Sequence, residues 1–319
     1  MLSLLVCTAL LLSGSFTPGD ESTAEALRLL AAKDYDGARK TLETVISRDG
    51  SDAEARYQLS RLLASHYRDY DAAEEMLEKA VEHADGNAEY HFFLGSVYGT
   101  QAQLAGILSK FSYARKTRDQ FERAVNLQPD SVRYRSALMT YYLMAPGIVG
   151  GDLDKAKEQA QEILHRDAFE GHLALARISD SEKELENAEK EYRLAIAARP
   201  VSGRSHHLLG YLYLRMKRND DGVAQFKEFV RLSPKDPNAY DSLADGYAAK
   251  GDTDEALKNF LTALSLDPHY PSSVFGAGTC YDAKGMKAEA LRYFRQYTAD
   301  NPKGTYAEKA KDRIDELAR

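Results

Sequence analysis

The amino-acid sequence predicts an all-α fold, a solenoid of antiparallel helix hairpins, from two observations. Pro200, Pro234, Pro268 and Pro302 are each 34 residues apart, and a fixed period of this size is typical of repeat proteins. Between these prolines, apolar or small side chains recur at i, i+3, i+4 and i+7, which is the spacing of one helix face. Each period is therefore expected to form two helices that stack on those of the next.

One well-formed unit, residues 237–270, shows how each element is assigned. The positions that carry its pattern are Tyr240, Leu243, Ala244, Tyr247, Ala256, Phe260 and Ala263. The first four lie on one helix and the last three on a second helix, separated by the turn "KGDTD". Pro268 ends the second helix, because the residue before a proline is driven out of the α region. Asp252 and Asp254 favour the start of that helix.

This spacing resembles the tetratricopeptide repeat, which places an aromatic residue, Leu, Gly or Ala, Tyr, Ala, Phe, Ala and Pro at these intervals. Residues 237–270 match every position, and the three other units between 169 and 304 match most of them. The resemblance implies a right-handed superhelix with small residues where two helices cross. Earlier units are degenerate, and we expect eight repeats over residues 19–304. A capping helix is expected at residues 305–319, because a solenoid needs a polar end.

Two units are longer than the period. The third carries ten extra residues within 99–118, which favours a lengthened helix hairpin. The fourth carries six extra residues at 145–150, the segment "APGIVG", between its two predicted helices. The two expansions together resemble an exported subgroup of bacterial repeat proteins without an assigned activity.

The two expansions should touch, because insertions at equivalent points of neighbouring repeats map to one edge of a solenoid. We expect Ile148 and Val149 to cover the apolar face of Leu104 and Ile107. A phosphate-binding loop is disfavoured, because the segment follows a helix and Asp152 stands where that motif requires lysine. A structural loop is favoured, with a partner-contact loop as the alternative.

The N-terminal segment is predicted to be a secretory signal, residues 1–15. An apolar run precedes small residues, as in signal peptides, and it is too short to span a bilayer. No Lys or Arg precedes the run, so a misassigned start or an uncleaved apolar tail stays open. Val6 before Cys7 disfavours a lipoprotein anchor. We expect export to the bacterial periplasm, with no integral membrane span after cleavage.

Composition excludes nucleic acid as a general partner. The 319 residues carry a net charge of −7, whereas phosphate binding needs a basic face. A local basic cluster is the exception, and it consists of Lys110, Arg115, Lys116 and Arg118. We interpret it as a solvated helix face, with an acidic partner as the alternative.

No arrangement of residues predicts a catalytic, cofactor or metal site. The eight histidines are scattered, and the neighbours His206 and His207 point to different faces of a helix. The segment "GDTDEA" lacks the third acidic position of an EF-hand. Cys280, the one cysteine left after signal cleavage, is expected to be a packed thiol without a disulfide.

The resemblance also implies a binding groove, lined by first-helix residues one after the aromatic position and four further on. The candidate groove residues are Tyr57, Arg61, Phe92, Arg135, Arg177, His207, Tyr211, Asp241 and Asp245. The Lys and Asn side chains with which the family clamps a C-terminal carboxylate are absent from these positions. A chaperone-tail adaptor is therefore disfavoured, and the wall either binds another partner or is merely solvated.

The sequence thus predicts a non-enzymatic, exported scaffold that binds a protein or peptide segment in its concave groove. We expect Arg135 and Arg177 to meet acidic groups of that segment, with Asp241 and Asp245 at the opposite end setting its direction. Two alternatives stay open. One is a structural subunit of a cell-envelope assembly that uses the convex face, and the other is an enzyme whose expanded edge acts as a lid.

Overall fold

The computed structural model describes residues 22–318, without the side chains of residues 107 and 108. Every regular element in this range is helical, which confirms the all-α class. The predicted signal segment, residues 1–15, lies outside the described residues. In the part of the chain that is described, no helix combines the length and the hydrophobicity needed to cross a bilayer.

The chain divides into two compact units, the first of which is Met1–Gly151. Its described helices are α1 (Thr23–Ala31), α2 (Tyr35–Arg48), α3 (Ala53–Leu62), α4 (Tyr70–His83), α5 (Ala88–Leu104), α6 (Ile107–Leu127) and α7 (Val132–Met144). A π-helical turn, Leu63–Tyr67, follows α3, and a 3-10 turn, Gly147–Val149, lies in the predicted insertion. Each helix packs on the next, from α1 to α7.

The second unit is Asp152–Arg319. Its helices are α8 (Leu153–Arg166), α9 (Ala168–Ser181), α10 (Leu185–Ala198), α11 (Gly203–Arg215), α12 (Asn219–Leu232), α13 (Pro237–Lys250), α14 (Thr253–Leu266), α15 (Pro271–Ala283), α16 (Lys287–Asp300) and α17 (Ala307–Leu317). Each again packs on the next. The predicted fourth repeat is divided between the units, because α7 belongs to the first and α8 to the second. The boundary falls one residue after the "APGIVG" insertion.

Aspartate side chains fix where several helices begin. Asp34, Asp69 and Asp252 each accept a hydrogen bond from a backbone amide in the first turn of α2, α4 and α14. Such caps satisfy amides that have no partner inside the helix. The predicted role of Asp252 at the start of α14 is thereby confirmed.

Small residues lie where paired helices cross, as the repeat pattern predicts. A Cβ atom at Gly210 would lie 2.4 Å from the ring of Phe226, and one at Gly95 would lie 2.7 Å from the ring of Phe121. Ala244 takes the corresponding place on α13 and is completely buried. The aromatic ring of the second helix fills the space that the missing side chain leaves, which sets the spacing of each pair.

A left-handed residue recurs in the turn that precedes a second helix. Lys33, Lys183 and Lys217 have φ of 62°, 64° and 61°, and Gly251 and Gly285 take the same place with φ of 80° and 71°. This backbone conformation is unfavourable for residues with a Cβ atom. The turn geometry is therefore imposed by the packing of the two helices, whichever residue stands there.

Candidate functional site

One carboxylate, that of Glu89 in the first turn of α5, organises the first-helix face of the first unit. The hydroxyls of Tyr57 on α3 and Tyr134 on α7 each donate to it over 2.9 Å. Arg133 donates to both carboxylate oxygens over 2.6 and 3.2 Å. Burial acts to raise the pKa of Glu89, but the hydrogen bonds from Arg133, Tyr134 and Tyr57 outweigh it and hold that pKa below its ordinary value. We call these four residues the Glu89 cluster, and its charge is satisfied internally.

The predicted groove residues of this unit are largely occupied by such contacts. Tyr57 is 7% exposed and belongs to the Glu89 cluster. The guanidinium of Arg61, which is exposed, lies 5.6 Å from the centre of the Tyr57 ring. Phe92 is half-buried, and the guanidinium of Arg133 lies 4.1 Å from its ring centre. The aromatic rings of this face therefore pack against arginines of the same unit.

Arg135 differs from the expectation that it meets an acidic group of a partner. It is 8% exposed, and its Nε donates to the carbonyl oxygen of Pro129 over 2.7 Å. Arg56 does the same two repeats earlier, donating through Nη2 to the carbonyl of Gly50 over 2.8 Å. In both cases the guanidinium binds a carbonyl of the turn that precedes its own helix. Arg135 therefore stabilises a turn of its own unit.

The predicted groove residues of the second unit lie together across three first helices. His207 on α11 contacts the hydroxyl of Ser242 through Nδ1 over 3.1 Å, and Tyr211 donates to Oδ2 of Asp245 over 2.8 Å. Both partners lie on α13. Asp241, also on α13, accepts from Ser272 over 2.8 Å and from Ser273 over 2.5 Å, both on α15. We call this set the second-unit ladder, comprising His207, Tyr211, Asp241, Ser242, Asp245, Ser272 and Ser273.

Two carboxylates of the ladder lack a cation. Asp241 and Asp245 are one helical turn apart, and neither forms an ion pair with a residue in the described range 22–318. Burial, together with the charge of Asp241, raises the pKa of Asp245 to about 6. Burial also raises the pKa of Asp241 and lowers that of His207. Asp241 is 4% exposed, so Asp245, which is half-buried, is the carboxylate of this pair that can meet a positive group of a partner.

Arg177, the remaining candidate, is exposed on α9 of the same unit. Several ladder residues carry the chemistry but were not among the sequence candidates. Ser242, Ser272 and Ser273 hold the predicted side chains in place. Ser242 directly follows the predicted lining residue Asp241, whereas no comparable signal in the sequence marked Ser272 and Ser273.

The expansions of the first unit touch through different side chains from those expected. Val149 is buried, and its carbonyl accepts a hydrogen bond from the hydroxyl of Tyr141 over 2.7 Å. Ile148 and Leu104 are each 70% exposed, so the prediction that they cover one another is wrong. The other predicted contact residue, Ile107, has a side chain outside the described residues. Successive residues of a tight turn point in different directions, which places Val149 inward and Ile148 outward.

An apolar groove of about 560 Å³ lies where the expansions meet. The side chains that line it come from α5, α6, α7 and the insertion, and they include Ala102, Ala114, Phe121, Ala137, Met144 and Val149. The groove belongs wholly to the first unit, and the predicted face residues do not line it. Sequence reasoning located both expansions but gave no signal that a cavity would remain between them.

The cysteine and the basic cluster singled out in the sequence are engaged in contacts within the protein. Cys280 is buried, and burial raises the pKa of its thiol to about 11, as expected of a packed cysteine. In the basic cluster, Lys116 pairs with Glu74 and Arg118 with Asp119. Within residues 22–318, no group of His, Cys, Asp or Glu is placed to hold a metal ion.

Three stretches of the chain match models of a known repeat family. One sequence model described as "Tetratricopeptide repeat" matches residues 29–96 and 247–314, and a second with the same description matches residues 203–236. The chain contains tetratricopeptide repeats. The matches lie in both compact units, including a region that the sequence alone marked as degenerate.

Three known proteins resemble this chain over different shares of its length. Tetratricopeptide repeat protein 37 of Xenopus laevis is 28% identical over 174 residues, which is 52% of this chain but about a tenth (10%) of the Xenopus protein. The crystal structure of yeast Tom70 matches 90% of this chain and 58% of its own, with a TM-score of 0.69 and 13% identity. A tetratricopeptide repeat protein from Parabacteroides merdae matches 84% of this chain and 99% of its own, with a TM-score of 0.57 and 15% identity. At these identities the two structures confirm the solenoid fold alone.

Proposed function

We propose that this tetratricopeptide repeat protein is an exported, non-enzymatic scaffold that holds a segment of a protein partner on the first-helix face of its second unit. A lysine or arginine of that segment pairs with the half-buried carboxylate of Asp245, beside which the buried Asp241 lies. The partner lies along α11, α13 and α15, whose side chains form the second-unit ladder. From the sequence we expected arginines of the protein to meet acidic groups of the partner. The proposal reverses these charges, because Arg135 is engaged within the first unit.

The observation that carries this proposal is the pair of carboxylates without a cation. Tetratricopeptide repeats generally act as non-catalytic scaffolds for protein interactions, so the fold supports a binding role. Specificity within such a role depends on which charges the face presents and which it neutralises itself. A half-buried carboxylate beside a second one gains most from a positive group, because burial has removed part of its hydration.

Binding is tested with a library of random peptides that contain lysine and arginine. The parent protein should enrich peptides that contain a basic residue. In a selected peptide whose basic residue is arginine, replacing that arginine by the neutral isostere citrulline should weaken the affinity about tenfold. Asp245→Asn keeps an acceptor for Tyr211 but removes the charge, and it should abolish the difference between arginine and citrulline. Asp312→Asn, an exposed aspartate on α17, is the matched control and should behave as the parent.

Two results would contradict the proposal. Enrichment without any preference for basic residues would show that the carboxylates take no part in binding. A preference retained in Asp245→Asn would move the binding surface elsewhere on the protein. Acidification adds a further check. Protonation of Asp245 below about pH 6 should weaken the binding of basic peptides to the parent protein but not to Asp245→Asn.

Export rests on the apolar run and small residues at the N-terminus, and it is tested separately. Full-length protein expressed in a Gram-negative host should appear in the periplasmic fraction. N-terminal sequencing of that material should begin at Phe16 if cleavage follows Ser15. Recovery in the cytoplasm with residues 1–15 intact would contradict export and leave the peptide-binding proposal untouched.

A further inference from the structure

The apolar groove of the first unit has the size and lining of a ligand site. Its volume of about 560 Å³ lies within the range of about 300–1,000 Å³ typical of small-molecule pockets. Apolar atoms make up most of its wall, and the alanine, methionine, valine and phenylalanine side chains contribute to it. Met144 stands at its open side with 68% of its surface exposed. An exposed apolar surface of this kind is unfavourable in water and favours an apolar occupant.

Three hydroxyl-bearing side chains of the wall are already engaged, which favours an alkyl chain over a peptide. The Thr117 hydroxyl donates to the carbonyl of Tyr113 over 2.9 Å, and the Tyr141 hydroxyl donates to the carbonyl of Val149 over 2.7 Å. Thr140 also has a partner. A peptide backbone in the groove would bring amides and carbonyls that need hydrogen bonds, and leaving them unmade is costly. An alkyl chain makes no such demand.

A positive charge stands beside the groove. Arg115 follows the lining residue Ala114 on α6, is exposed, and forms no ion pair with a residue in the described part of the protein. It lies close enough to Tyr141 for its charge to act on that hydroxyl. Arg118, one turn further along, is instead held by Asp119 over 2.7 Å. Of these two arginines, Arg115 is thus the one available to an anionic group.

We propose that this groove binds a single-chain anionic amphiphile, with its alkyl tail between α5, α6 and α7 and its head group beside Arg115. The proposal goes beyond the peptide-binding role and concerns a different unit of the protein. A free fatty acid and a single-chain phospholipid share this chemistry, and the two sources are distinguished by the ligands used below.

The test uses dodecanoate below its micelle concentration, measured by isothermal titration calorimetry on the full chain. Saturable binding with one site per protein is expected. Ala137→Phe places a ring inside the groove and should weaken binding about tenfold or more, because it displaces several methylene groups of the ligand. Met144→Asp acts at the exposed rim, where folding is not at risk, and should weaken binding in the same direction. Ala224→Phe, an exposed alanine on α12, is the matched control.

The head group is tested on its own. Arg115→Gln should weaken dodecanoate about two- to fivefold, as expected for an exposed charge pair, and should leave neutral dodecanol unchanged. Arg295→Gln, an exposed arginine on α16, is the control and should change neither. Lysophosphatidylglycerol binding more tightly than dodecanoate would assign the site to a phospholipid, and the reverse order to a free fatty acid.

Three results would overturn the proposal: no binding of either amphiphile to the parent, binding that survives both Ala137→Phe and Met144→Asp in folded protein, or equal effects of Arg115→Gln and Arg295→Gln. Circular dichroism of each variant shows whether it is folded. None of these results bears on the peptide library, which probes the second unit.

Discussion

The first-helix faces of the two units treat their carboxylates in opposite ways. In the first unit, Glu89 receives two tyrosine hydroxyls and the guanidinium of Arg133, and its pKa is held low. In the second, Asp245 receives one tyrosine hydroxyl and lies beside Asp241, and its pKa rises to about 6. The residue types are similar, and the decisive difference is one arginine. A face that neutralises its own charge is complete, whereas a face that leaves buried carboxylates without a cation is suited to a partner.

The largest effect is expected where the chain leaves the first unit. A Cβ atom at Gly151 would lie 1.7 Å from the carbonyl oxygen of Ala145, so the backbone must move to accept any side chain. Gly151→Ala should lower the free energy of unfolding by about 3 kcal/mol, the upper end for overpacking. Gly147→Ala is the matched control, since a Cβ atom there meets nothing within 4 Å. Urea unfolding followed by circular dichroism measures both, and equal stabilities would show that the insertion is not held as described.

A smaller effect is expected from the centre of the Glu89 cluster. Glu89→Leu leaves the hydroxyls of Tyr57 and Tyr134 without their acceptor, and unsatisfied buried groups cost about 1–3 kcal/mol of stability. Glu75→Leu removes an exposed glutamate paired with Lys79 and should change stability little. If the two variants unfold at the same urea concentration, the first-unit face is not stabilised by its carboxylate and the contrast with the second unit fails.

The smallest expected effect is a gain in stability, whereas the two effects above are losses. Because the pKa of Asp245 is raised above its ordinary 3.8, its contribution to stability is complete below that value and is lost as the pH rises through about 6. Asp245→Asn removes this loss, so it should stabilise the protein by about 1–2 kcal/mol at pH 7 after allowance for partial exposure. The parent and the variant should converge near pH 4. Thermal unfolding between pH 4 and pH 8 measures the difference, and a less stable variant at pH 7 would contradict the assigned environment of Asp245.

The sequence predicts the solenoid well because its signal is repeated. The small residue at a helix crossing and the ring beside it, as in Gly210 with Phe226, recur with the period, and packing requires both. Helix starts at Asp34 and Asp252 follow from a local rule that needs no knowledge of the rest of the chain. The fold class, the helix pairs within each unit and the buried state of Cys280 could therefore be predicted from the pattern.

The functional face could be predicted only in part, because side-chain partners depend on contacts outside the period. Position alone grouped Arg135 with Asp245, yet a long guanidinium can reach back to the carbonyl of Pro129 and a short carboxylate cannot. The insertion shows the same limit. Ile148 and Val149 are equally apolar, and only the tight turn of the insertion decides that Val149 is buried and Ile148 exposed.

The left-handed turns are positions at which the stability of this protein can be raised by substitution. Lys33, Lys183 and Lys217 hold a backbone conformation that glycine holds at positions 251 and 285 of the same architecture. Each lysine stores about 1–2 kcal/mol of conformational strain, part of which a glycine would release. None of the three belongs to the Glu89 cluster, the second-unit ladder or the apolar groove. Heat resistance and ligand selectivity can thus be altered independently, since the residues that limit one do not determine the other.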